Sequence, residues 1–155
     1  EYEERTTRNL VVNINDTHFG ANSYEDYIDS QQVIINQINQ GYNTIVINLA
    51  GDLLETDNFK HTTASGTRLG DTNLTSAWAD LTAYVEPIII QAVRNSAHTE
   101  LIYLRGNHSE SMEWAFVQYL KARFPQVQMD DSIKYHKAIL LGKVFLGFSH
   151  GYKNS

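Results

Sequence analysis

Residues 44–49 read TIVINL, a β-branched run without polar alternation. Such a run predicts a strand buried on both faces, as in the interior of a parallel sheet. Parallel neighbours cannot be joined by tight turns, so helices must cross over between the strands. The flanking sequence supplies them. Residues 10–14 (LVVNI) and 101–104 are two more apolar runs with strand character. Between the first two runs, residues 26–40 place Tyr27, Ile34, Ile35 and Ile38 at helical spacing, with Gly41 as the stop and Ser30 as an alternative start. Residues 77–97 resume that period through Trp78, Leu81, Val85, Ile88, Ile89, Ala92 and Val93, and Pro87 predicts a kink or break within it. Ser109 is positioned to cap a third helix, with Glu110 and Glu113 in its first turn and Pro125 beyond its end. Residues 138–141 and 144–148 flank Gly142-Lys143, a hairpin signal. The order β-α-β-loop-α-β-α-hairpin is that of an α/β domain built on a parallel sheet.

Composition narrows the function. The 155 residues amount to one domain, and a hydrophobic fraction of 42% supports a real core. With no cysteine, disulfides, thiolate metal sites and a cysteine nucleophile are excluded. No run of 18 apolar residues and no signal peptide is visible, which predicts a cytoplasmic protein without membrane partners. The net charge of −6 excludes a general phosphate-neutralising surface. Phosphate brought to this chain must be met by local cations such as metals.

In parallel sheets ligands bind beyond the carboxyl ends of the strands. Here those ends read Asp16-Thr17-His18, Gly51-Asp52 and Gly106-Asn107-His108, and the last apolar run ends at Ser149-His150-Gly151. Carboxylate and imidazole together suit manganese, iron, zinc or nickel. A carboxylate such as Asp52 has two oxygens with which to bridge two ions, and paired ions clamp a phosphoryl group. Each piece has an ordinary reading as well. Asp16, Asp52 and Asn107 are turn residues, His108 suits a helix cap, and His150 suits a packed strand end. Their joint occurrence at strand ends favours the metal site.

At these residues the chain resembles the calcineurin-like metallophosphoesterase family, whose pattern is D-x-H, G-D, G-N-H-D/E, H and G-H-x-H. Four of those blocks stand in order between Asp16 and Gly151. The resemblance implies an αββα sandwich of two mixed sheets flanked by helices. It also implies a phosphoester hydrolase, a phosphodiesterase, nuclease or phosphatase, with two divalent metal ions and a bridging hydroxide. Manganese is the first choice, with iron, zinc or nickel as alternatives. Asp16 and His18 match ligands of one metal, Asp52 the bridge, and Asn107 and His150 ligands of the other. His108 matches the catalytic histidine beside the leaving group. Ser109 stands where the family carries Asp or Glu, with Glu110 next.

The G-H-x-H block is absent. The expectation is therefore a domain spanning 1–155 that lacks its C-terminal part, with an incomplete second sheet, partly filled metal sites and weak activity. A non-catalytic scaffold or binding module retaining the fold is the alternative. Residues 53–76 are rich in Thr, Asn, Asp and Gly and predict a long loop, and the overlapping stretch 51–67 is similar to some phage-encoded members of the family. Within it Asp57, Asn58 and His61, with Arg68 nearby, suit either a substrate lid or a solvated loop. His98 and His136 read as surface residues. Trp78, Trp114, Phe116 and Tyr119 read as core rather than a base-stacking platform. The partner expected is a phosphoester, with nucleotides or nucleic acid among the candidates.

Overall fold

The computed structural model describes residues 7–57, 74–106 and 109–150. Strands β1 (Asn9–Ile14), β2 (Tyr42–Leu49), β3 (Ser96–Tyr103) and β4 (Gln128–Asp130) form one parallel sheet in the order β1-β2-β3-β4. Helices α1 (Ile28–Ile38), α2 (Leu74–Arg94) and α3 (Glu110–Arg123) connect them. Because the strands add in sequence order and crossovers are right-handed, successive helices fall on the same side. The core follows: Val12, Ile14, Ile45, Ile47, Leu49, Leu101 and Tyr103 share one face and pack with Leu81, Val85, Ile88, Phe116, Val117 and Leu120. TIVINL is the interior strand its composition predicts, buried from Thr44 to Leu49.

The opposite face carries Val46, Ala50, Ile102 and Leu104, equally buried. Against it lies a second, antiparallel sheet, β5 (His136–Leu141) and β6 (Val144–Ser149), which turns at Gly142-Lys143 with Gly142 at φ 61°. Lys137, nearly buried, anchors this hairpin by donating to the Asp130 carboxylate (2.9 Å) and carbonyl (3.1 Å). Neither sheet is mixed among the described residues: the first is parallel throughout and the second antiparallel. Nor are helices found on both outer sides there. Leu140 (67%), Val144 (56%) and Phe145 (72%) leave the hairpin's outer side and tip exposed.

Several boundaries differ from the sequence reading. Helix α1 begins at Ile28, after a 3-10 turn at Tyr24–Tyr27 whose Asp26 carboxylate reaches back to the Ser23 N–H (2.8 Å). Helix α2 ends at Arg94, not at residue 97. The Asn95 amide and Ser96 hydroxyl bond the Gln91 and Ala92 carbonyls (2.8 Å each), which closes the last turn and releases Ser96 into β3. Strand β4 is three residues long and largely polar, too short to show a period.

Pro87 does not break α2. Proline has no N–H to offer the carbonyl four residues back, here Ala83. The buried Gln31 side chain fills that gap from α1, donating to the Ala83 and Tyr84 carbonyls at 2.9 Å each. Its own oxygen accepts the Tyr24 hydroxyl at 2.7 Å. Among the described residues no helix is long and apolar enough to cross a membrane.

Candidate metal centre

The loops leaving β1 and β2 stay zipped beyond the strands. Asp16 N–H donates to the Gly51 carbonyl (3.1 Å), His18 N–H to that of Asp52 (3.0 Å), and Phe19 N–H to that of Leu53 (2.9 Å). Holding this register twists the backbone. Asp16 (φ 53°), His18 (φ 47°) and Asp52 (φ 52°) are the non-glycine residues at positive φ among the described residues. That conformation costs about 1–3 kcal/mol per residue, less for Asp, and tends to collect at functional sites.

Two glycines let the loops close. Gly51 sits at φ 88°, and a Cβ there would lie 2.6 Å from the Gly106 backbone. A Cβ on Gly106 would fall 2.4 Å from both the Asp52 nitrogen and Oδ1. The glycines of the G-D and G-N-H blocks therefore touch each other, and this contact brings the β3 end against Asp52.

His150 arrives from the other sheet, at the end of β6. Its Nδ1 lies 2.5 Å from the Ala50 carbonyl, and its Nε2 lies 3.1 Å from Asp52 Oδ2. A carbonyl only accepts, so Nδ1 carries the proton. In the neutral ring Nε2 then turns a lone pair toward a carboxylate oxygen. Two acceptors at that separation need a positive centre between them, a proton or a metal cation. Both side chains are more than nine-tenths buried, which strengthens the demand. A ring N–H held by a backbone carbonyl is also how metal-ligating histidines are commonly fixed.

Asp16, Asp52 and His150 each offer an atom within 4.8 Å of the others, a donor set for one cation, with Asp16 at the exposed rim. His18 stands beside this cluster rather than in it. Its Nε2 is 3.8 Å from Asp16 Oδ1, and its Nδ1 is 3.6 Å from Glu55 Oε2. Glu55 carried no sequence signal of its own. Asn107, His108, Asn58 and His61 lie outside the described residues. The Asp57 carboxylate accepts the Met112 N–H (2.8 Å), in the first turn of α3.

Other expectations change at α3. Ser109 occupies the N-cap position without capping the helix. Glu113, expected as a first-turn charge of the sign a helix start favours, is fully buried, and burial pushes its carboxyl up to about 8. Glu110 is held by the Arg105 guanidinium. Phe116 is core and meets Trp78 edge-on at 5.3 Å, but Trp114 (39%) and Tyr119 (38%) are exposed, contrary to the core reading. His98 and His136 are exposed, as read from the sequence. Compared with known proteins, the chain matches no family model and no curated sequence.

Proposed function

We propose that this chain is a metal-dependent phosphoester hydrolase domain of the calcineurin-like metallophosphoesterase kind. The observation that carries the reading is the facing pair of Asp52 Oδ2 and His150 Nε2, 3.1 Å apart and joined by Asp16 in one donor cluster. The strained backbone at Asp16, His18 and Asp52 supports it, since all three are residues the motif assigns as ligands. A divalent cation there supplies Lewis acidity toward a phosphoryl oxygen and an acidified water.

The chain's own residues divide the remaining work. Asp52 and His150, both buried, would hold the cation together with Asp16 at the exposed rim. His18, 3.8 Å from Asp16 Oδ1 and 3.6 Å from Glu55 Oε2, would hold a second ion if one binds. We assign Asn107 to that dinuclear set and His108 to proton delivery at the leaving oxygen. With a net charge of −6, the chain attracts phosphate through its cations and not through a basic surface. A small phosphodiester, a nucleotide or a nucleic-acid end fits that electrostatics better than an extended duplex.

Manganese titration, together with hydrolysis of an aryl phosphodiester, tests the reading. Asp52→Asn is expected to abolish both metal uptake and hydrolysis. His108→Ala is expected to keep the metal and to slow hydrolysis by about 10²–10⁴-fold. A His108→Ala protein working at the wild-type rate sinks the assignment of that residue. One observation favours a non-catalytic scaffold instead: the described residues gather one three-ligand cluster only. Manganese uptake without turnover of any phosphomonoester or phosphodiester supports that second reading.

A further inference from the structure

Glu113 is an expensive residue in its position. A fully buried carboxyl is tolerated only when its oxygens are satisfied. Its Oε2 accepts the Leu53 N–H at 2.7 Å and the Ser109 hydroxyl, and its Oε1 faces the Tyr103 hydroxyl at 3.5 Å. The Ser109 oxygen in turn accepts the Leu54 N–H at 3.3 Å. These two amides directly follow Asp52, whose φ of 52° relaxes unless its neighbours over-determine it. The carbonyl side of the same stretch is held by the first loop. His18 N–H bonds the Asp52 carbonyl, and Phe19 N–H and the Thr17 hydroxyl bond that of Leu53. The segment is therefore gripped by β1's loop through its carbonyls and by α3 through its amides.

We propose that Glu113, acting directly and through Ser109, is a positioning residue that aims the Asp52 carboxylate at Asp16 and His150. This rests on the metal-centre reading above. Filling the space alone does not call for a carboxyl, whose desolvation is costly even where its oxygens are satisfied. Holding a strained loop at one register does call for directed acceptors.

The test is manganese titration by calorimetry on the full chain, alongside amide hydrogen exchange at Leu53 and Leu54. Glu113→Ala and Ser109→Ala are expected to weaken manganese binding about 10–100-fold, as loss of groups supporting metal ligands commonly does, and to lose protection at those amides. Glu113→Gln is expected to bind near wild type, because its amide oxygen accepts the same two donors and the Tyr103 hydroxyl can accept from its NH2. A folded Glu113→Ala protein with wild-type manganese affinity and only a lower melting temperature overturns the proposal. If Glu113→Ala does not fold, wild-type affinity in Ser109→Ala overturns it instead. Glu113→Gln as weak as Glu113→Ala also overturns it, since charge and not hydrogen bonding would then be what matters. A wild-type chain that takes up no manganese removes the metal-centre reading itself. Wild-type uptake with unchanged variants removes this inference alone.

Discussion

On one face the parallel sheet meets α1, α2 and α3 through a continuous apolar layer that includes Ile45, Ile47, Leu81, Ile88 and Phe116, all fully buried. On the other face, among the described residues, it meets the β5–β6 hairpin. A cleft of about 540 Å³ runs there between Val11, Asn13, Asn15, Asn48 and Ala50 on the sheet and residues 146–149 on the hairpin. Asn48 crosses to Asn13 (3.0 Å) where the helical face would carry aliphatic side chains. The helical face carries the stability. The hairpin face is lightly supported, yet it delivers His150 to Asp52. The candidate site is thus built where the helix-packed face and the hairpin face meet, so that the strained loops rest on the core and His150 comes from the second sheet.

The largest break in this comparison is expected from Ile88→Ala. The cavity left in the helical layer should cost about 2–5 kcal/mol in urea or thermal unfolding. Equal losses from Phe145→Ala, 72% exposed on the hairpin, would erase the distinction between the faces. Gln31→Ala comes next, at about 1–3 kcal/mol, because the Ala83 carbonyl above Pro87 loses its donor inside the core. Pro87→Ala restores a backbone N–H for that carbonyl, so the Gln31→Ala penalty should shrink in the double variant. Additive losses would show that the glutamine does not stand in for the missing N–H.

Gly106→Ala probes the junction of the two faces. Its Cβ would overlap Asp52, so manganese affinity should fall at least about tenfold, roughly the penalty of a displaced ligand support, while the helical core stays folded by circular dichroism. Unchanged affinity would mean that the β3 loop does not set the Asp52 position. The pH dependence concerns Glu113, in the first turn of α3. The Glu113 carboxyl is raised from 4.5 to about 8 by burial, so the unfolded chain releases this proton more easily than the folded one. Its contribution to stability is full below pH 4.5 and declines as pH rises toward about 8. Subtracting the melting curve of Glu113→Gln across that window isolates the slope, and identical slopes in the two proteins would contradict it. Phe145→Ala closes the series at under about 0.5 kcal/mol, as for exposed sites generally.

Much of the layout was legible because it is written in local patterns. TIVINL announces a strand with two covered faces, and Gly142-Lys143 announces a two-residue hairpin turn. Asp16, Asp52 and His150 were legible as strand-end candidates because each follows an apolar run, although the resemblance assigned Asp16 and His150 to different metals. What was missed depends on partners distant in sequence. Strand β4 pairs only because β3 offers an edge. Trp114 falls at helical spacing yet points outward, its ring N–H donating to the Asp131 carbonyl at 3.1 Å. Glu113 sits four residues after Ser109, a spacing that shows a first-turn charge but not the Leu53 amide that it accepts.

The sequence by itself determined the order of the strands and helices other than β4, the absence of thiol chemistry, and which residues stand at the strand ends. Periodicity and turn chemistry act within a few residues, and both are carried in the chain's own order. Only the tertiary structure decided that Gly51 and Gly106 touch and that α3 grips the segment after Asp52. It alone turned His150 Nε2 toward a carboxylate at 3.1 Å. Those are contacts between segments far apart in the chain, and no local propensity encodes the distance between two side chains until packing has fixed both backbones.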